Sequence, residues 1–335
     1  MTQGNPTPKI LIYGTGSIGA ACAYLLSKSV RNEDIVAICR SNYEVAKKHG
    51  LTINSSIWGN DLVVRPTVVR SIEEALCHKG SGFDYILVAT KATTMASEDT
   101  HPIHPAVSPH TTIVLMQNGI GIERPFQRNF PDNPIVSVVL YTPLTQTAPG
   151  VFSHYFLDKV LVGTFPAESP ASHKRTAKKL SQMLATGGAA AEHHEDIQIE
   201  RWKKLLINAS ENPVCALSRL RDTQFFRSAQ GATAFMKDVM MEIAATARAA
   251  GYQSITEEVV DSQLLVITSR PWPGAEPSMM NDAIAGRQME DDAILGNVIE
   301  IAREKGVETP RLSTLYYLIH GLNESFRGIK NERFE

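Results

Sequence analysis

Lys204, Asn208 and Asn212 recur at intervals of four in the stretch Glu200-Arg-Trp-Lys-Lys-Leu-Leu-Ile-Asn-Ala-Ser-Glu-Asn-Pro213. On a helix of about 3.6 residues per turn, Lys204 and Asn208 share a face and Asn212 lies one turn further on. Trp202, Leu205, Leu206 and Ala209 provide apolar packing around that stripe. A polar stripe is most often a solvated face. Asparagine is a mediocre helix former, however, and two of them in register with a lysine are an odd choice for solubility alone. A lysine whose pKa is drawn down by partial burial is a general acid suited to a carbonyl oxygen. The Asn212-Pro213 step is where such a helix would end or kink.

A second group of residues speaks to phosphate. Gly14-Thr15-Gly16-Ser17-Ile18-Gly19 directly follows the apolar run Lys9–Tyr13 and opens the Ala- and Leu-rich stretch Ile18–Ser29. In that setting Gly14 allows the tight turn, Gly16 lets a pyrophosphate approach the backbone, and Gly19 permits close helix–strand packing. The phosphates would sit at the positive end of the helix. A glycine-rich turn with no ligand is the bland alternative. An NAD site calls for a carboxylate roughly 20 residues beyond the glycines, at the end of the second strand. This chain has Cys39-Arg-Ser-Asn42 there, and Arg40 with Ser41 suits a 2′-phosphate, so the expected cofactor is NADPH. Lys91 and Gln117-Asn118-Gly119 each follow an apolar run. They read either as ligand-edge residues or as a solvated lysine and an ordinary Asn-Gly turn.

These groups need elements to hold them. Asp34–Cys39, Tyr85–Thr90 and Thr112–Met116 read as further buried strands, and Pro134–Leu140 and Lys159–Gly163 could extend the same sheet. Continuous apolar strands alternating with helices give an α/β, doubly wound, Rossmann-type domain. Beyond about residue 195 the strand signal fades. Ile197–Ser218, Ala232–Ala250, Ser278–Lys305 and Arg311–Asn323 read as helices, with a loop at Arg270-Pro-Trp-Pro-Gly-Ala-Glu-Pro277. The expected division is therefore 1–195 for the dinucleotide-binding domain and 196–335 for an all-α substrate and catalytic domain.

Composition narrows the partners. Lys and Arg total 33 against 35 Asp and Glu, a net charge of −2, so no global excess draws the chain to nucleic acid or an acidic membrane surface. Four cysteines without CxxC spacing read as reduced thiols, and no apolar run reaches the roughly 18 residues of a membrane span. A cytoplasmic protein with a small-molecule substrate is expected, a homodimer being one open possibility. His101-Pro-Ile-His104 and Glu192-His-His-Glu-Asp196 hold metal-ligand residue types without a helical HExxH spacing, so no metal is expected.

Taken together, the glycine loop, Arg40, Lys91, Gln117-Asn118-Gly119, the Lys204/Asn208/Asn212 stripe and the later Ser278 and Glu290 resemble the ketopantoate reductase (2-dehydropantoate 2-reductase) family, over about residues 9–325. The resemblance implies a Rossmann domain and a helical domain with the active site between them. It implies Lys204 as the general acid and Glu290 as the residue holding that lysine or the substrate hydroxyl. Asn118 would sit by nicotinamide and substrate, and Lys91 would line the cofactor cleft. Asn208 and Asn212 would hydrogen-bond the substrate, and Ser278 would bind its carboxylate. The chain departs from the family pattern at Gly274-Ala-Glu-Pro277, where an asparagine often precedes the serine, and Leu140–Thr145 is bulkier than expected near the nicotinamide. Two alternatives stay open: a related enzyme acting on another 2-oxo acid, and a non-catalytic NADP-binding sensor.

Overall fold

A computed structural model describes residues 7–79, 82–92, 102–155 and 158–327. The strands are β1 Ile10–Tyr13, β2 Ile35–Ile38, β3 Leu51–Ser55, β4 Gly59–Val64, β5 Thr67–Val69, β6 Tyr85–Val88, β7 Thr112–Leu115, β8 Ile135–Tyr141, β9 Leu144–Ala148, β10 Val151–His154, β11 Lys159–Phe165 and β12 Ala191–His193. The chain divides into two compact units. One contains the strands and extends to Ile197. The other takes in the chain from Gln198 onward together with the short segment Asn118–Gly121.

In the first unit, eight strands form a sheet in the order β12-β11-β8-β7-β6-β1-β2-β5. β1 pairs in parallel with β2 on one side and β6 on the other, with Ile12 opposite Ala37 and Leu87. Chain order reverses at β1, which places the glycine loop at the topological switch point, where open α/β sheets bind their ligands. The runs Ile10–Ile12, Ile35–Ile38 and Tyr85–Val88 are buried throughout, as strands covered on both faces must be. β8 and β11 do extend the sheet, but β11 runs antiparallel to β8.

A second sheet, β4-β3-β10-β9, was not legible in the sequence. Its β10 pairs in parallel with β3 across about a hundred residues of chain, a long-range pairing that local patterning cannot report. β9 is mostly exposed and short of apolar residues, and β4 opens on Gly-Asn-Asp, so neither carries the usual strand signal along its length.

The second unit is helical. Helices Ile197–Asn208, Glu211–Ser218, Ala232–Ala249, Glu257–Thr268, Ser278–Ile284, Asn297–Lys305 and Pro310–Arg327 gather around a core of Trp202, Leu206, Met236, Met240, Ile243, Leu295, Val298 and Leu312. Among the described residues no helix is long and apolar enough to cross a membrane.

Two of the expected helical stretches are broken, the first of them just ahead of the Asn212-Pro213 step where an end or kink was expected. Ile197–Ser218 divides at Ala209-Ser210, where the Ser210 hydroxyl donates back to the Leu206 carbonyl at 2.5 Å. Pro213 has no N–H for the Ala209 carbonyl, so the chain restarts a helix at Glu211 and places Pro213 in its first turn, where the missing donor costs nothing. Ser278–Lys305 also divides. It leaves helical form after Ile284, around Gly286 (φ +62°), and returns through a wide π turn, Asp292–Gly296. Glu290 lies just ahead of that turn.

Candidate active site

The glycine loop of the first unit is fixed from below. Gly14 has φ +97°, and a Cβ there would overlap the side chain and backbone nitrogen of Thr90. Thr15 is buried, and its N–H and hydroxyl both donate to the Ile38 carbonyl, at 3.1 and 2.9 Å. Gly19 packs against the Gly14 carbonyl. Gly16, by contrast, is exposed, and beyond its chain neighbours no atom of the described residues lies within 4 Å of where its Cβ would be. Half-buried Ser17 and Ile18 begin the first helix, Ser17–Leu26, whose first turn carries no acidic residue. A tightly packed loop with open space over its middle glycine and a helix N-terminus free of carboxylates suits a dinucleotide pyrophosphate.

A residue outside this loop helps to hold it. Asn42 is buried, donates through Nδ2 to the Thr15 carbonyl at 3.2 Å, and accepts through Oδ1 from Gln146 Nε2 and Gly150 N–H at 2.8 and 3.1 Å. Just after β2, Asn42 reads in sequence as a helix cap, and nothing local reveals partners a hundred residues away. Arg40 and Ser41 are exposed beside it. Arg40 makes no ion pair among the described residues, and the next carboxylate along the chain, Glu44, is engaged by Arg70 at 2.5 Å. Lys91 is exposed after β6.

The second unit brings three of the expected residues together. Lys204 Nζ donates to Asn118 Oδ1 at 2.8 Å, and Asn118 Nδ2 donates to Glu290 Oε2 at 3.2 Å. A side-chain amide is suited to this place because it accepts from an ammonium and donates to a carboxylate at once; an aspartate there would face Glu290 with like charge. The adjacent lysines differ in environment. Lys203 pairs with Glu200 at 2.8 Å, whereas Lys204 is turned inward. Burial of the ammonium lowers the Lys204 pKa to about 8, the Arg201 charge adds to that fall, and Glu290 opposes it. An amine in this range can hold a proton near neutrality and release it.

Asn118 is placed by its own backbone neighbours, which the sequence did not reveal. Buried Arg201, three residues before Lys204 on the same helix, donates to the Gly119 carbonyl at 2.9 Å. Ile120 N–H donates to the Ala293 carbonyl at 3.1 Å, and Asn297 Nδ2 to the Ile120 carbonyl at 2.7 Å. The π turn makes the Ala293 contact possible. Asn297 N–H reaches back to Asp292, so Ala293 loses the donor an α-helix would provide. Gly119 passes so close, at φ +99°, that a Cβ would fall on the Ala293 carbonyl.

The remaining expected residues lie in the same unit without joining this hydrogen-bonded set. Asn208 is half-buried at the end of its helix, and Asn212 is buried in the first turn of the next, so the helix break separates them. Ser278 is exposed at the first position of Ser278–Ile284, a helix packed against Glu211–Ser218. None of the three side chains has a hydrogen bond among the described residues.

Comparison with known proteins matches both parts of the chain to one family. The family Ketopantoate reductase PanE/ApbA matches residues 10–167, and Ketopantoate reductase PanE/ApbA C terminal matches residues 196–323. The chain belongs to the ketopantoate reductase family. A 2-dehydropantoate 2-reductase structure from Methylococcus capsulatus is 32% identical, with a TM-score of 0.82 over 96% of this chain and 98% of that one. An uncharacterized protein of Saccharomyces cerevisiae, YDL144C, is 31% identical over 93% of this chain and 92% of its own length. The 2-dehydropantoate 2-reductase of a Nostoc species is 25% identical, covering 94% and 95%. Family membership makes the chain an oxidoreductase of the two-domain kind, a Rossmann-type α/β domain followed by a helical one.

Proposed function

We propose that this ketopantoate reductase family member uses NADPH to reduce a 2-oxo acid to the 2-hydroxy acid, with 2-dehydropantoate as the leading substrate. The observation that carries the reading is the inward-turned Lys204 ammonium, bonded to Asn118 and poised near pH 8. Carbonyl reduction builds negative charge on the ketone oxygen, and a preorganised ammonium both stabilises that charge and supplies the proton. A sensor that only bound nucleotide would have no use for a lysine tuned in this way.

The residues divide the work. Gly14, Thr15, Gly16, Ser17, Ile18 and Gly19 would hold the pyrophosphate, Arg40 the 2′-phosphate, and Lys91 would line the cofactor site. A bound nicotinamide would supply the hydride. Lys204 donates the proton to the carbonyl oxygen, Asn118 fixes the ammonium, and Glu290 keeps it charged against the cost of burial. Asn208 and Asn212 hydrogen-bond the substrate, and Ser278 receives its carboxylate. Consumption of NADPH with 2-dehydropantoate beside a panel of other 2-oxo acids tests the assignment. Strong preference for another acid would change the substrate and keep the mechanism. That second outcome is favoured by one feature, the Gly274-Ala-Glu-Pro277 sequence ahead of Ser278.

Two variants probe the roles separately. Arg40→Ala should weaken NADPH by about tenfold to a hundredfold, the worth of a charge-assisted hydrogen bond to phosphate, and leave NADH almost unchanged. Titration of both cofactors checks this, and equal losses would remove the assignment. Glu290→Gln keeps the shape and deletes the charge that raises the Lys204 pKa. Its alkaline limb of kcat should move to lower pH, with a smaller loss of turnover than removal of the lysine causes. A limb that stays in place would show that Glu290 does not act through Lys204.

A further inference from the structure

Outside the Lys204 cluster, the helical unit buries another charged group that no step above uses. Glu211 and Asp222 are both buried, and a single guanidinium nitrogen of Arg270 reaches each of them at 2.5 Å. Asp222 is the more committed of the two carboxylates. Its Oδ1 also accepts from Thr223 N–H at 2.6 Å and from Ala275 N–H at 2.8 Å. Arg221 adds bonds to the Gly274 carbonyl at 3.4 Å and to Glu276 at 3.0 Å. Gly274 sits at φ +89°, so close to Asp222 that a Cβ would overlap its carboxylate. The whole stretch Arg270–Glu276 is therefore tied down at both ends and in the middle onto the start of helix Asp222–Ser228.

The placement gives the tie a consequence. Glu211 opens the helix that carries Asn212, and the tethered stretch runs through Pro277 directly into Ser278. Loops without secondary structure hold a geometry only where something fixes their backbone, and a serine meant to meet a carboxylate must be fixed to be useful. We propose that Arg270, gripped by Glu211 and Asp222, is a positioning residue that fixes the 270–277 stretch relative to the Asn212 helix and so sets the affinity for the 2-oxo acid through Ser278. The substrate clause rests on the reaction proposed above; the latch itself does not. Burial of Glu211, opposed by Arg270 and reinforced by Asp222, raises its pKa to about 7, so a neutral amide is a fair substitute for it.

Arg270→Met is the direct variant, and the same change combined with Glu211→Gln guards against misfolding from two unpaired carboxylates. The combined variant keeps Asp222, which two backbone N–H groups still cap. In folded protein, amide exchange at Ala275 should rise by about tenfold or more, and KM for the 2-oxo acid should rise by about tenfold with kcat and NADPH affinity nearly unchanged. Glu211→Gln alone should resemble the wild type in both readouts. Unchanged exchange at Ala275 in the folded Arg270 variants would overturn the latch. Faster exchange with an unchanged KM would overturn its role in holding substrate. A wild type that turns over no 2-oxo acid would count against the proposed reaction, and exchange at Ala275 would still decide the latch.

Discussion

Lys204→Met is expected to lower kcat by about a hundredfold or more, the combined worth of a positioned acid and a charge stabiliser. Affinity for NADPH should hardly change, because the glycine loop and Arg40 belong to the other unit. Stability should hold or rise. The lowered Lys204 pKa means that the folded chain binds fewer protons than the unfolded chain between about pH 8 and the ordinary lysine value. Stability from this group is therefore complete only above that ordinary value and falls as pH drops through about 8, so at neutral pH the buried charge is a cost that methionine removes. Kinetics beside thermal unfolding of the same preparation checks both halves. A lysine with a purely structural role would give the reverse pattern, normal turnover with a lower Tm.

Gly119→Ala should damage the same chemistry from a distance of one residue and should also destabilise the fold. An L-residue at φ +99° is strained, and the new methyl would fall on the Ala293 carbonyl that Ile120 N–H needs. The backbone of Asn118–Ile120 must then retreat from the π turn, weakening the Arg201 and Asn297 bonds and withdrawing Asn118 from Lys204 and Glu290. A loss of about 2 kcal/mol or more in stability is expected for strain combined with broken buried hydrogen bonds. Displacing the amide by about an ångström is enough for a loss near a hundredfold in kcat. Urea unfolding and steady-state kinetics measure the two effects. Turnover close to wild type in the folded Gly119→Ala protein would mean that Asn118 does not need this anchoring.

Much of this arrangement could be read from the chain in advance, and the division follows the range of the interactions. The glycine loop, the parallel strands and the Lys204 helix are written in neighbouring residues, through apolar runs, turn glycines and helical spacing. Their assembly depends on distant ones. Asn118-Gly119 looks locally like a turn at a strand end, yet Arg201, Ala293 and Asn297 hold it in the helical unit. Glu290 reads in sequence as part of a long helix, and the interruption around Gly286 and the π turn beyond it put the residue where it meets Asn118. The Glu211–Arg270–Asp222 group is illegible in the sequence for the same reason: each member is an ordinary charge until a fold brings two acids to one guanidinium.

The proposed reaction is the reduction of a 2-oxo acid by NADPH, with the Lys204 ammonium as the acid. Following NADPH oxidation by the wild-type protein with 2-dehydropantoate and the panel of 2-oxo acids, from neutral into alkaline pH, tests it most directly. Turnover of at least one of these acids is expected, with kcat level near neutrality and falling through a single ionisation close to pH 8, where Lys204 gives up the proton it must donate. NADPH that binds and stays reduced in the presence of every acid, or a kcat that climbs as Lys204 deprotonates, would contradict it.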